Sequence, residues 1–218
     1  MSRLENKFQE LKNAGRKGLV IYITAGMPDA ESTAGLVLEA EKAGADIIEL
    51  GVPFSDPMAD GPVIQAAAYT AIKNGMTVKG VLEIVREIRK TSQIPLVGMG
   101  YVNNMLHYGF EKFTADAAEA GLDGLIVPDV PHEESAEMKA ACKANGMHLV
   151  EFVTPGTTDS RISETCTFLH RAPHWYLRQS AYKASGKASG NGHDYRSDRR
   201  EHRNECTDRF QKCTYRHA

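Results

Sequence analysis

Several things are scarce in this chain of 218 residues. It has four Cys, too few for a disulfide scaffold at this length. No apolar run reaches the roughly 20 residues of a membrane span. The N-terminus MSRLENKFQELK lacks the pattern of a signal peptide, so the expected location is the cytoplasm. Neither charge dominates. The 26 Lys and Arg against 28 Asp and Glu leave a net charge of −2, which argues against a nucleic-acid binder. What remains is 42% hydrophobic and 25% charged, enough for a globular core and too apolar for wholesale disorder. The length suits one domain, or most of an α/β barrel of about 250 residues.

The sharpest scarcity is local. After Ile162 there is no Ile, Val or Met, and the only Leu are Leu169 and Leu177. Residues 1–162 carry a net −7 and residues 163–218 a net +5. Three of the four Cys, five of the eight His and the single Trp fall in the second stretch. A segment this poor in aliphatic mass cannot offset its ordering entropy by burial. Residues 1–162 are therefore expected to form the folded part, and 163–218 a basic tail without barrel strands.

The folded part alternates short β-branched runs with helical periodicity. Helices are expected at Arg3–Ala14, Asp29–Ala43, about 63–74, Thr77 to about Lys90, Glu111–Ala120 and His132–Asn145, with a further one beginning at Asp159. Strands are expected at Gly18–Thr24, Asp46–Leu50, Pro95–Met99, Asp123–Pro128 and His148–Thr154. This alternation predicts βαβ units and a parallel sheet. No G-x-G-x-x-G follows the first strand, which disfavours a dinucleotide-binding sheet. The repeated joints AGAD, AGLD and NGMH suit a (β/α)8 barrel, of which five strands can be counted.

Chemistry in parallel α/β folds lies at the C-terminal ends of strands. Glu49 sits there, in the strand DIIEL. Alternation puts Ile47 and Glu49 on one face and Ile48 and Leu50 on the other. A carboxylate on an apolar face is costly unless paired or raised in pKa, and a raised pKa suits general acid/base work. The plainer use is a structural carboxylate that accepts a loop amide. The segment GVPFSDPMADGP follows at once, with Asp56 and Asp60 in a loop stiffened by Pro and Gly. Asp60 can return to the same strand end and share a cavity with Glu49, two carboxylates with divided roles. Its plainer use is a helix cap before Pro62, and that of Asp56-Pro57 an ordinary turn.

The run ELGVPFSDPMADGPVIQ closely resembles the signature of the tryptophan synthase alpha subunit family. VIYITAGMPD, GMGYVNNMLHYGFEKF, GLDGLIVPDVPHEES and FVTPGTTDSRI look like the same family, in the family's order over about residues 1–162. The resemblance implies a TIM-barrel lyase that cleaves indole-3-glycerol phosphate to indole and glyceraldehyde 3-phosphate by a retro-aldol reaction. Glu49 then corresponds to the acid/base that handles the proton at indole C3, and Asp60 to the carboxylate facing the indole N–H. Tyr22 and Tyr101 would wall the indole pocket, or else pack at the core or rim. No metal or organic cofactor is implied for this chain. The resemblance also implies a partner, the beta subunit, which carries pyridoxal phosphate. Asp56, Pro57 and Asn104 match surfaces that face that subunit.

The likeness stops near Ile162. The expected sixth strand, glycine-containing loop and phosphate site are not legible in 163–218, and the abrupt change is the pattern a reading-frame shift leaves. His202, Cys206, Cys213 and His217 match no common zinc module, and the Arg-rich run 196–203 has Asp198 and Glu201 interspersed, so neither metal nor nucleic acid is expected there. With five strands of eight, the chain is expected to be a poor enzyme. The alternatives are a non-catalytic remnant that docks the beta subunit, and a different phosphate-handling barrel enzyme.

Overall fold

In a computed structural model of the chain, the residues described are 1–152, 157, 158, 160 and 161. Five parallel strands, β1 (Val20–Thr24), β2 (Ile47–Gly51), β3 (Leu96–Met99), β4 (Gly124–Ile126) and β5 (His148–Val150), pair strictly in chain order. A doubly wound sheet reverses its strand order at a switch point. A sheet ordered 1-2-3-4-5 does not reverse, so every connection returns over the same face, as in the wall of a (β/α)8 barrel.

The connections are α2 (Ala30–Lys42), α3 (Pro62–Lys73) with α4 (Val78–Arg89), α5 (Val102–Tyr108) with α6 (Phe110–Ala120), and α7 (Ala136–Ala144); α1 (Arg3–Asn13) precedes β1. Cap residues set several starts. Ser2 and Glu5 form a capping box on α1, Asp29 accepts the Ser32 amide at α2, and Thr77 accepts the Gly80 amide at α4. Gly121 ends α6 at φ 108°, a left-handed conformation that suits glycine. α4 buries Val81, Leu82, Ile84, Val85 and Ile88 on one face. With Val37, Phe113, Ala117 and Met138 these meet Ile48, Leu50, Leu96 and Leu125 from the sheet, and together they form the core. Among the described residues no helix is long and apolar enough to cross a membrane.

Two aspartates close the strand units at the N-terminal end of the sheet. Asp46 donates its amide to the Leu19 carbonyl and accepts the Leu19 amide on its carboxylate at 2.8 Å. Asp123 repeats the exchange with Leu96, accepting that amide at 2.9 Å. Arg16 forks onto Asp46, and Arg3 and Arg89 both reach Asp123, at 2.9 and 2.8 Å. Arg89 is nearly buried and also donates to the carbonyls of Gly121 and Ile94, so one guanidinium ties the end of α4 to the approaches of β3 and β4. Asp46 is held below the usual carboxylate range by its Arg16 bonds, which outweigh its burial.

Most boundaries agree with the sequence expectation to within a residue or two. Three do not. Residues 102–108 form a helix where none was expected, a short element with only Met105 buried and no capping side chain to announce it. The expected helix 132–145 divides into a 3-10 turn, His132–Glu134, and α7. β5 ends at Val150, and Val153 and Thr154 of the expected strand lie outside the described residues. Ser160 and Arg161 are helical as expected after Asp159, which itself lies outside them, as does all of 163–218 with the Cys/His pattern and the Arg-rich run.

Candidate active site

The register aligns Tyr22 of β1 with Glu49 of β2 and Val97 of β3, and two residues on aligns Thr24, Gly51, Met99 and Ile126. Parallel neighbours in register share a face. Ile48 and Leu50 are in the helix-packed core, so this set occupies the opposite, inward face. Glu49 is the one ionisable carboxylate in β2, with Ile48 and Leu50 fully buried on either side. Burial, and then the negative charge of Asp60, push the Glu49 carboxyl up to about 7. A carboxyl that titrates there is present in both forms near neutral pH, the condition for an efficient proton donor and acceptor.

Asp60 comes to the same end of the sheet on the loop after β2. It does not cap α3: Gly61 is the N-cap, without a side-chain bond. Its carboxylate instead accepts the Tyr101 hydroxyl at 3.0 Å. Burial raises the Asp60 carboxyl above the usual range, and the Tyr101 hydrogen bond opposes the rise. The loop is braced by the Asp60 amide on the Pro57 carbonyl and by the Gln65 side chain on the Asp60 carbonyl. Tyr22 is largely buried, and its hydroxyl is pushed to about 12, mainly by that burial. Tyr101 is 3% exposed. The structure thus brings four of the expected residues, Tyr22, Glu49, Asp60 and Tyr101, to one end of one sheet.

The three expected partner-facing residues differ among themselves. Asp56 is exposed and bonded to Ser55. Pro57 is buried. Asn104 is half-buried, and its amide donates to the Pro53 carbonyl at 3.2 Å. The outward side chains nearby are Met58, 93% exposed, and Leu106, 61% exposed. Sequence reasoning missed Phe54, whose ring stacks on Tyr101 with centroids 5.2 Å apart, and Gly51, which leaves room for Tyr22. Phe54 had a signal, as the single aromatic in the loop GVPFSDPMADGP; Gly51 had none. Among the described residues no three His, Cys, Asp or Glu lie close enough together to hold a metal ion.

Comparison with known proteins agrees with this geometry. The family model described as tryptophan synthase alpha chain matches residues 8–172, ten residues past the compositional break. The tryptophan synthase alpha chain of Citrifermentans bemidjiense is 50% identical over 163 residues, 75% of this chain and 61% of that protein. Tryptophan synthase subunit alpha from Legionella pneumophila superposes with a TM-score of 0.76 at 37% identity, over 82% of this chain and 68% of that one. A chain of the tryptophan synthase complex from Pyrococcus furiosus gives 0.64 at 39% identity, over 67% and 60%. The chain spans about 61% of the length of the curated relatives it matches. A singly wound parallel sheet, a half-buried glutamate on its inward face and a family match over most of its length lead to one conclusion: the chain belongs to the tryptophan synthase alpha chain family.

Proposed function

We propose that the chain is a lyase subunit, acting in the cytoplasm, that cleaves indole-3-glycerol phosphate to indole and glyceraldehyde 3-phosphate in tryptophan biosynthesis. The observation that carries this reading is Glu49, a carboxyl on the inward face of β2 that titrates near 7 beside the raised carboxyl of Asp60. Cleavage of the bond between indole C3 and the glycerol chain needs a proton at C3, which turns the ring into a cationic indolenine. Protonated Glu49 supplies that proton. Asp60 accepts the ring N–H and stabilises the positive charge. Glu49, now a carboxylate, takes the proton of the adjacent glycerol hydroxyl. The oxygen electrons form the aldehyde, the C3 bond breaks, and its electron pair restores the aromatic ring. The step uses proton transfer and electrostatics alone, so no cofactor of this chain's own is assigned to it. Tyr22, level with Glu49, would flank the ring.

The test is indole release by the purified 218-residue chain under single-turnover conditions, with and without a beta subunit. Cleavage that disappears in Glu49→Gln supports the reading, with an expected loss of about 10²–10⁴-fold. Cleavage at an unchanged rate in that variant overturns it.

A second reading is that the chain docks a beta subunit without cleaving substrate. Met58 and Leu106 favour it, two exposed apolar side chains at the active end of the sheet, on segments joined by the Asn104–Pro53 bond. The Pyrococcus furiosus neighbour is part of a tryptophan synthase complex. Stimulation of beta-subunit activity by both the native chain and Glu49→Gln, with no indole released by either, would single out this reading.

A further inference from the structure

Asp60 belongs to an irregular loop, and a carboxylate that must meet a developing charge has to be aimed. The loop's own bonds fix its backbone: the Asp60 amide lies 3.3 Å from the Pro57 carbonyl, and Gln65 holds the Asp60 carbonyl. Neither touches the carboxylate. Among the described residues, the side chain bonded to it is that of Tyr101, two residues past the end of β3. Its neighbours in the chain anchor it on both sides: Gly100 donates its amide to the Ile126 carbonyl, and Val102 donates its amide to the carboxylate of Asp129. From this base the ring packs against Phe54, and the hydroxyl makes two bonds at once. It donates to Asp60 Oδ2 at 3.0 Å and accepts the Ala59 amide at 3.0 Å.

We propose that Tyr101 is a positioning residue that transmits the rigidity of the sheet to the Asp60 carboxylate, rather than a wall of the indole pocket. The inference deepens the reading of Asp60 given above and rests on it. Two bonds to consecutive residues orient Asp60 as a bracket would: one fixes the backbone at Ala59, the residue before it, and the other its carboxylate. Donation to the carboxylate also favours the ionised form, the form able to face a cationic ring. Burial keeps the Tyr101 hydroxyl protonated well above the ordinary tyrosine range, so it remains a donor throughout the working pH. A tyrosine that merely packs would have its hydroxyl satisfied with no consequence for Asp60.

The experiment compares the full 218-residue chain with its Tyr101→Phe variant, which keeps the ring and the Phe54 stack. Carboxyl carbon resonances follow the titration of Asp60, and amide exchange follows Ala59. Removal of the hydroxyl is expected to move the Asp60 midpoint upward and to speed Ala59 exchange about tenfold, the size of one lost hydrogen bond. Where indole release is measurable, kcat falls about tenfold while KM moves less than twofold. An Asp60 titration and an Ala59 exchange rate both unchanged in Tyr101→Phe overturn the proposal. These two readouts require no turnover. A chain that shows both shifts and releases no indole therefore supports the positioning geometry and counts against the lyase reading alone.

Discussion

Tyr22 lies across Gly51: a Cβ built on that glycine would come within 2.1 Å of the Tyr22 hydroxyl and 2.6 Å of its ring carbon. Gly51 pairs in register with Thr24, two residues beyond Tyr22, so the ring leans along the sheet over its neighbour strand. Gly51→Ala must displace the ring, which has no flexible tail to fold away. We expect substantial loss of activity and modest loss of stability from that single methyl. In Tyr22→Ala the same methyl is tolerated, so a double-mutant cycle on urea-unfolding free energies should give a coupling of about 0.5–3 kcal/mol. Additive effects would show that the two residues do not meet.

Glu49 places a cost on the fold that depends on pH. Its carboxyl is raised in the folded chain from the ordinary value of 4.5 to about 7. The folded state thus keeps a proton that the unfolded chain releases earlier. The group's unfavourable contribution is absent below about 4.5, grows as pH rises towards 7, and is complete above it. Glu49→Gln removes it. The variant should match the native chain at the low end of this window and exceed it by roughly 2–3 kcal/mol at pH 8. Denaturant melts at several pH values check this, and a pH-independent difference would contradict it.

Asp60→Asn should act on two quantities. The Asp60 charge helps to raise the Glu49 carboxyl, so its removal lowers the Glu49 midpoint and shifts the ionisation limb of any kcat profile to lower pH. It also removes stabilisation of the ring cation, which lowers kcat more than it raises KM. A pure KM effect with an unmoved pH profile would assign Asp60 to uniform substrate binding.

Asp123→Ala should be among the most destabilising single changes. It strands the Leu96 amide and removes the partner of Arg89, both buried. Breaking a buried pair from one side costs about 3–5 kcal/mol. Replacing Arg89 and Asp123 together by apolar residues should cost less than Asp123→Ala alone, because the buried guanidinium is then gone and the charge left over, Arg3, is exposed enough to be hydrated. Thermal or urea midpoints of the three proteins decide the order.

The architecture was legible because its signals are local. β-branched runs, cap residues such as Asp29 and Thr77, and stop glycines such as Gly121 lie within a few residues of what they determine. Glu49 was legible for a similar reason: strand alternation alone puts it on the face opposite Ile48 and Leu50. The misses are tertiary. α5 is short, buries little and is pinned by Asp129, 27 residues ahead of the Val102 amide it accepts. Asp60 looked as apt for a cap as for chemistry, and only the hydroxyl of Tyr101, 41 residues on, separates the two uses. Tyr101 read equally as a pocket wall or as packing at the core or rim, and nothing in its sequence neighbourhood marks Ala59 and Asp60 as its partners.

The reciprocal exchanges Leu19–Asp46 and Leu96–Asp123 each span 27 residues, one strand-to-strand circuit. Their consequence is one of timing during synthesis. A ribosome adding roughly 5–20 residues per second delivers each aspartate within a few seconds of the amide it must accept. Each circuit can therefore lock before much further chain exists to compete for the strand. In that order of emergence, each unit closed by its aspartate presents a strand edge to the unit that follows. In such an order the first circuits owe nothing to residues translated later.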